Sequence, residues 1–199
     1  MSFKNMLKKT KSAEIEAAMQ EDDFITNTPT QKDWINELTK SFILIVLLKS
    51  FTTKAGNPGW APKTPPKYKQ NGADRGNWVY IIVIAKGDFE YIMKIGGTGA
   101  AGGMASRISS YNSGRPNCNA KNGDVNRRIY ERFVKYLADG WEVKFLAYEC
   151  QTGKINVNMP WRTEEVSGST QTFKIYEEDL IKLYEEKYGK KPIWNANTN

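Results

Sequence analysis

Apolar and polar positions divide this chain into segments of distinct period. Trp78 to Ala85 is an unbroken apolar, β-branched run, the pattern of a strand buried on both faces. Lys86-Gly87-Asp88 supplies turn chemistry, and Phe89 to Ile95 reads as a second strand closing an antiparallel hairpin. A glycine-rich stretch, Gly96 to Gly103, leads into a helix from Met104 to about Asn112. A longer helix is predicted over 124 to 138, with Ile129, Phe133, Val134 and Leu137 on one face, followed by an alternating third strand from Trp141 to Cys150. Residues 151 to 172 are polar, with a short strand expected around Ile155 to Val157. A last helix runs from about Tyr176 to Tyr188, before Pro192-Ile193-Trp194-Asn195.

The first 76 residues differ in character. Residues 3 to 20 suit a Lys-rich helix and Thr30 to Phe51 a second one. The run from Phe42 to Leu48 is expected as its buried part, being too short for a bilayer, which takes ~20 apolar residues. Residues 53 to 77 carry closely spaced Gly and Pro, a linker or irregular arm. Its Lys54, Lys63, Lys67 and Lys69 interleave with Trp60 and Tyr68, which suits either a solvated linker or an arm along a nucleic-acid backbone. The fold expected is α+β: a small domain at 77–199 on a three-stranded, mainly antiparallel sheet flanked by helices, with an insertion at 151–172. Residues 1–76 form a helical N-terminal extension and linker.

Composition narrows the chemistry. Among 199 residues, 29 Lys and Arg against 22 Asp and Glu give a net charge of +7, which favours a polyanionic partner. There is no histidine, so Ser-His-Asp and Cys-His machinery and His-containing metal sites are excluded. Cys118 and Cys150 lack metal-type spacing, which fits a reduced, cytoplasmic setting. The N-terminal residues lack the apolar core of a signal peptide.

Three charges fall on apolar patterns. Arg107 borders the Met104, Ile108, Tyr111 stripe. Glu177 precedes Leu180, Ile181 and Tyr184 by three, four and seven positions and so faces inward. Lys94 lies within Tyr91-Ile92-Met93-Lys94-Ile95. A buried carboxylate needs a partner. A Glu177–Arg107 or Glu177–Lys94 ion pair would supply one, and a lysine snorkelling at a strand edge would account for Lys94. Gly97-Thr98-Gly99-Ala100-Ala101-Gly102 matches a dinucleotide fingerprint, but it follows a hairpin rather than opening a parallel crossover.

In order, these residues resemble the GIY-YIG nuclease superfamily. Trp78-Val79-Tyr80-Ile81-Ile82 is similar to its first motif, with Trp78 in place of the leading glycine. Lys94-Ile95-Gly96-Gly97-Thr98 resembles the second in its "KIG" form. Met104 to Tyr111 resembles the helix bearing the family's arginine, Tyr176 to Lys182 its metal-binding helix, and Pro192-Ile193-Trp194-Asn195 its closing "P-x-x-N". The resemblance implies a metal-dependent DNA endonuclease, restriction-type or phage-encoded, with Mg²⁺ (or Mn²⁺) on Glu177. Tyr80 would be the proton acceptor, with Lys94 the cation favouring its ionisation. Arg107 would contact the scissile phosphate, and Tyr111 the phosphate or water. Asn195 would brace the site, contact a phosphate or simply cap the C-terminus.

Double-stranded DNA is the expected partner, gripped in part by Lys63, Lys67, Lys69 and Arg115, with RNA not excluded. A palindromic target would call for a homodimer. No membrane association is expected; the setting would be the host cytoplasm for a phage enzyme. The alternatives are a homing or repair nuclease, or a module of this fold that binds DNA without cutting it.

Overall fold

The computed structural model describes residues 20–48, 51–52, 58–59, 76–112, 124–151, 153–157, 166–170 and 172–195. Helix α1 is described over 20–27, and α2 spans Lys32–Leu38. Strands β1 (Ile43–Leu48), β2 (Phe51–Thr52) and β3 (Pro58–Gly59) follow, and then the long hairpin of β4 (Trp78–Lys86) and β5 (Phe89–Thr98). Helices α3 (Gly103–Asn112) and α4 (Asp124–Ala138) lead to β6 (Glu142–Glu149), β7 (Gly153–Val157), β8 (Val166–Thr170) and α5 (Phe173–Tyr188). No described helix is long and apolar enough to cross a membrane.

Four strands form one sheet in the order β1-β6-β4-β5, antiparallel at each pairing. The α+β class and the flanking helices match the sequence reading, with a fourth strand added. β4 is buried from Trp78 to Ala85, as a continuous apolar run requires. One face of the sheet carries Tyr80, Ile82, Ile84 and Met93 against Ile108 of α3 and Ile129 and Phe133 of α4. The other carries Val79, Ile81, Ile92 and Ile95 against Ile35 of α2 and Leu180 and Tyr184 of α5.

The added strand corrects one expectation. The run from Phe42 to Leu48 is not a helix: α2 stops at Leu38 and β1 pairs with β6, from Ile43 opposite Ala147 to Leu48 opposite Val143. A register shift between Leu44 and Val46 lets the adjacent Ile45 and Val46 both enter the same core. A seven-residue apolar run has no period that separates strand from buried helix, and the open flank of β6 decides it. Within 151–172, β7 contains the expected short strand. It pairs with β8, whose Val-Ser-Gly-Ser-Thr sequence carries no strand pattern.

Helix α1 is fastened by a buried ion pair. Arg132 Nε of α4 lies 2.5 Å from Glu21 Oε1, with the two side chains 14 % and 4 % exposed, and the Tyr136 hydroxyl donates to the same carboxylate at 3.3 Å. The Arg132 guanidinium also lies 5.5 Å from the Trp194 ring centroid. Removing one member of a buried pair strands the other charge, which costs ~3–5 kcal/mol, whereas apolar replacement of both is close to neutral. Arg132→Met is therefore expected to lower stability by about that amount in chemical denaturation, with the Glu21→Met/Arg132→Met double variant recovering most of the loss.

Candidate active site

Among the described residues β5 has a strand, β4, on one side only, so its outer edge presents backbone groups that need partners. They are met in turn along the strand. Gln31 N donates to Glu90 O at 2.8 Å, and Ile92 N donates to Gln31 Oε1 at 2.8 Å. Trp194 N donates to Met93 O at 2.9 Å. Asn195 then closes Ile95 from both sides, its Oδ1 accepting from Ile95 N at 2.8 Å and its Nδ2 donating to Ile95 O at 2.7 Å. Arg107 Nη2 donates to Gly97 O at 3.0 Å. Asn195 is thus a side-chain substitute for a strand, not merely a C-terminal cap.

An irregularity in the hairpin aims Lys94. Ile82 pairs with Lys94 and Val83 with Ile92, which leaves Met93 as an extra residue on β5. Strict alternation would send Lys94 to the face of Ile92; the bulge turns it to the face of Tyr80. Lys94 is only 8 % exposed and lines a cleft of about 620 Å³ with Tyr80, Arg107, Tyr111 and Glu177. It is not a snorkelling edge lysine.

Two glycines set the packing around it. Gly96 lies opposite Tyr80, and a Cβ there would sit 2.6 Å from the phenol Cζ, so the missing side chain is the space the ring occupies. A Cβ on Gly97 would collide with the Phe173 ring and lie 2.8 Å from Glu177 Oε2. Gly97 therefore lets α5 approach the strand closely enough to bring its carboxylate to the edge where Arg107 is anchored. The Gly97–Gly102 stretch serves this close approach. Its first two residues close an antiparallel hairpin, which excludes the parallel crossover a dinucleotide site would need.

The electrostatics separate the roles these side chains can take. The Tyr80 and Tyr111 hydroxyls are 2.6 Å apart and fully buried. Burial raises both phenols, Tyr111 well above its ordinary value, while the Arg107 charge and the Tyr111 hydrogen bond oppose the rise at Tyr80. Both phenols therefore hold their protons more tightly than usual, and either hydroxyl can donate across the bond. The cation set against these rings is Arg107, with its guanidinium carbon 5.9 Å from the Tyr80 centroid and 5.8 Å from that of Tyr111. The Lys94 ammonium shares the cleft with these rings. Its principal attraction is to Glu177, and burial outweighs that attraction to bring Lys94 down to about 8.

Glu177 is raised by burial, with Lys94 and Arg107 pulling the other way. Its carboxylate closes no ion pair among the described residues, so the Glu177–Arg107 and Glu177–Lys94 pairs expected from periodicity do not form. Arg107 Nε is buried without a hydrogen-bond partner among the described residues. One carboxylate, a nearby ammonium and a guanidinium thus line one cleft. Among the described residues, no three His, Cys, Asp or Glu side chains cluster as a ready-made metal cage.

The structure brings together Tyr80, Lys94, Arg107, Tyr111 and Glu177, with Asn195 behind the strand. Lys63, Lys67, Lys69, Arg115 and Cys118 lie outside the described residues, as do Trp60 and Tyr68. Sequence reasoning missed Gln31, which is buried and also donates to the Tyr184 hydroxyl at 2.8 Å, and Asn126, which lines the cleft. A glutamine just before a short helix and an asparagine in a helix first turn carry no signal of such positions.

No family model matches the chain, and no curated protein sequence does. Among solved structures, a point mutant of bacteriophage T4 EndoII matches with a TM-score of 0.50 at 18 % identity, over 79 % of this chain and 96 % of that one. The chain shares that fold. The restriction endonuclease HPY188I in complex with product DNA matches with a TM-score of 0.43 at 19 % identity, over 89 % and 90 %.

Two outcomes follow from this geometry. Gly97→Ala should displace α5, lowering stability by ~1–3 kcal/mol in thermal or denaturant melts, the usual effect of overpacking. Lys94 titrates near 8 when folded against 10.5 ordinarily, so between those values the unfolded chain binds more protons and stability rises with pH. Below about 8 the full penalty of the buried charge remains, about 3 kcal/mol. Lys94→Met is expected to be more stable than wild type at neutral pH and to lose that rise, which denaturation curves across the range would reveal.

Proposed function

We propose that this chain is a metal-dependent DNA endonuclease, restriction-type or phage-encoded, that hydrolyses phosphodiester bonds in the cleft at the edge of β5. The observation that carries the reading is the convergence there of Tyr80, Lys94, Arg107 and Glu177, with the Lys94 ammonium and the Glu177 carboxylate unpaired among the described residues. Unpaired charges of both signs in one partly buried cleft are costly to fold and suit a ligand that supplies the missing partners. A phosphodiester with a cation does so. The fold shared with bacteriophage T4 EndoII and the order of the motifs support the same conclusion.

The donor set fits Mg²⁺, or Mn²⁺ in its place. A single carboxylate beside an open cleft matches an ion that keeps much of its water shell and takes further oxygens from phosphate. Glu177 would hold it, and the bound ion would neutralise charge on the phosphoryl and leaving 3′ oxygens.

The protein's own groups do the rest. Once ionised, the Tyr80 oxygen would accept a proton from the attacking water; Arg107 and a hydrogen bond from Tyr111 favour that ionised form against the burial that opposes it. Arg107 is held by Gly97 O through Nη2 and offers its remaining donors to the scissile phosphate. Lys94 adds a fixed positive charge on the same wall. Asn195 holds Ile95, the residue between Lys94 and Gly96, against drift of the strand. Lys63, Lys67, Lys69 and Arg115 would add contacts to double-stranded DNA, and a homodimer would suit a palindromic target.

Supercoiled plasmid incubated with the full chain tests this reading. Nicked or linear products are expected with Mg²⁺ and not with EDTA. Glu177→Ala should give none, and Tyr80→Phe should cut ~10²–10⁴-fold more slowly. Cleavage that persists in EDTA or in Glu177→Ala would overturn the metal role. Binding without cleavage, indifferent to Mg²⁺, would make the chain a DNA-binding module.

A further inference from the structure

The cleft is larger than one phosphate group, and its groups opposite α5 have no role in the chemistry above. Val125 and Asn126, in the first turn of α4, line it together with Ser106 of α3. Asn126 is half-buried, and its side-chain amide has no hydrogen-bond partner among the described residues. The helix behind it is 15 residues long, so its first-turn amides lack intrahelical acceptors and carry the positive end of a full helix dipole. Lys94, 8 % exposed and without a hydrogen bond or ion pair among the described residues, lines the same cleft. The same cleft holds the Glu177 carboxylate on α5, so it is the neutral amide and the helix N-terminus on the α4 side, together with the Lys94 ammonium, that suit an anion.

We propose that the first turn of α4, with Asn126 as its side-chain donor, is a second phosphate subsite, which holds the backbone phosphate next to the scissile one. This rests on reading the cleft as a nuclease site. The scissile phosphate then lies toward Arg107 and Glu177, and the substrate strand crosses to α4, where Asn126 Nδ2 and the first-turn amides take the neighbouring phosphate. An asparagine can also read an adenine edge. Here the helix N-terminus and Lys94 favour the phosphate, so Asn126 positions the strand for any base.

Binding of a fluorescein-labelled duplex to the full chain in EDTA tests the subsite apart from cleavage. Asn126→Asp places a carboxylate against the phosphate and is expected to raise Kd about tenfold or more, with Asn126→Ala giving a smaller rise. A carboxylate in a helix first turn favours the helix, so the Asp variant should melt no lower than wild type, and its weaker binding cannot be read as unfolding. In Mg²⁺ the Ala variant should show raised KM with kcat nearly unchanged, alike on every sequence cut.

Asn126→Asp binding as tightly as wild type would overturn the subsite. So would a KM change confined to one base at the cut, which would make Asn126 a base reader. Binding that responds to Asn126 while no DNA is cut in Mg²⁺ would keep the subsite and remove the nuclease. Cleavage indifferent to Asn126 would do the reverse.

Discussion

An edge strand buried on both faces has an unpaired row of backbone donors and acceptors, and in this protein that row organises the site. β5 is buried from Glu90 to Thr98 although β4 is its only sheet neighbour among the described residues. Unpaired peptide groups there would each cost about as much as a lost hydrogen bond. Gln31, Trp194, Asn195 and Arg107 satisfy them in order along the strand. Two of the four, Arg107 and Asn195, are residues whose chemistry the sequence motifs had singled out. Closing the edge and building the cleft are one act of packing.

The same edge concentrates groups that do not favour folding. Among the described residues Lys94 is buried without a partner and Arg107 Nε has no acceptor, and Glu177 is raised by its burial. Stability has to come from elsewhere, from the two apolar layers on β4 and from the Glu21–Arg132 pair that holds α1 against α4. That pair also reaches the site: Arg132 lies over Trp194, whose backbone holds Met93, and Trp194 is followed by Asn195. The helix at the start of the described chain and the turn at its end are thus tied to the same strand.

Much of this was legible in the sequence, because β4, α4 and α5 have long and clear periods and the hairpin has unambiguous turn residues. Glu177 announced itself as a carboxylate on an apolar stripe, and Arg107 as a charge beside one. Two features were not legible. β1 is a short apolar run whose partner lies about a hundred residues away, so only the open flank of β6 decides that it is a strand. The bulge at Met93 leaves no mark in composition, yet it turns Lys94 to the side of Tyr80. The charge beside Tyr80 followed from three-dimensional packing as well: Arg107 reaches the ring from α3, which strand pairing alone does not indicate.

The central claim is that this cleft delivers water to a phosphodiester. Cleavage of a short duplex in Mg²⁺ and water labelled with heavy oxygen, followed by mass spectrometry of the products, tests it most directly. One heavy oxygen on each new 5′ phosphate, with a free 3′ hydroxyl on the other fragment, is the result this account predicts. Intact duplex, or scission that leaves the phosphate unlabelled or attached to the protein, would contradict it.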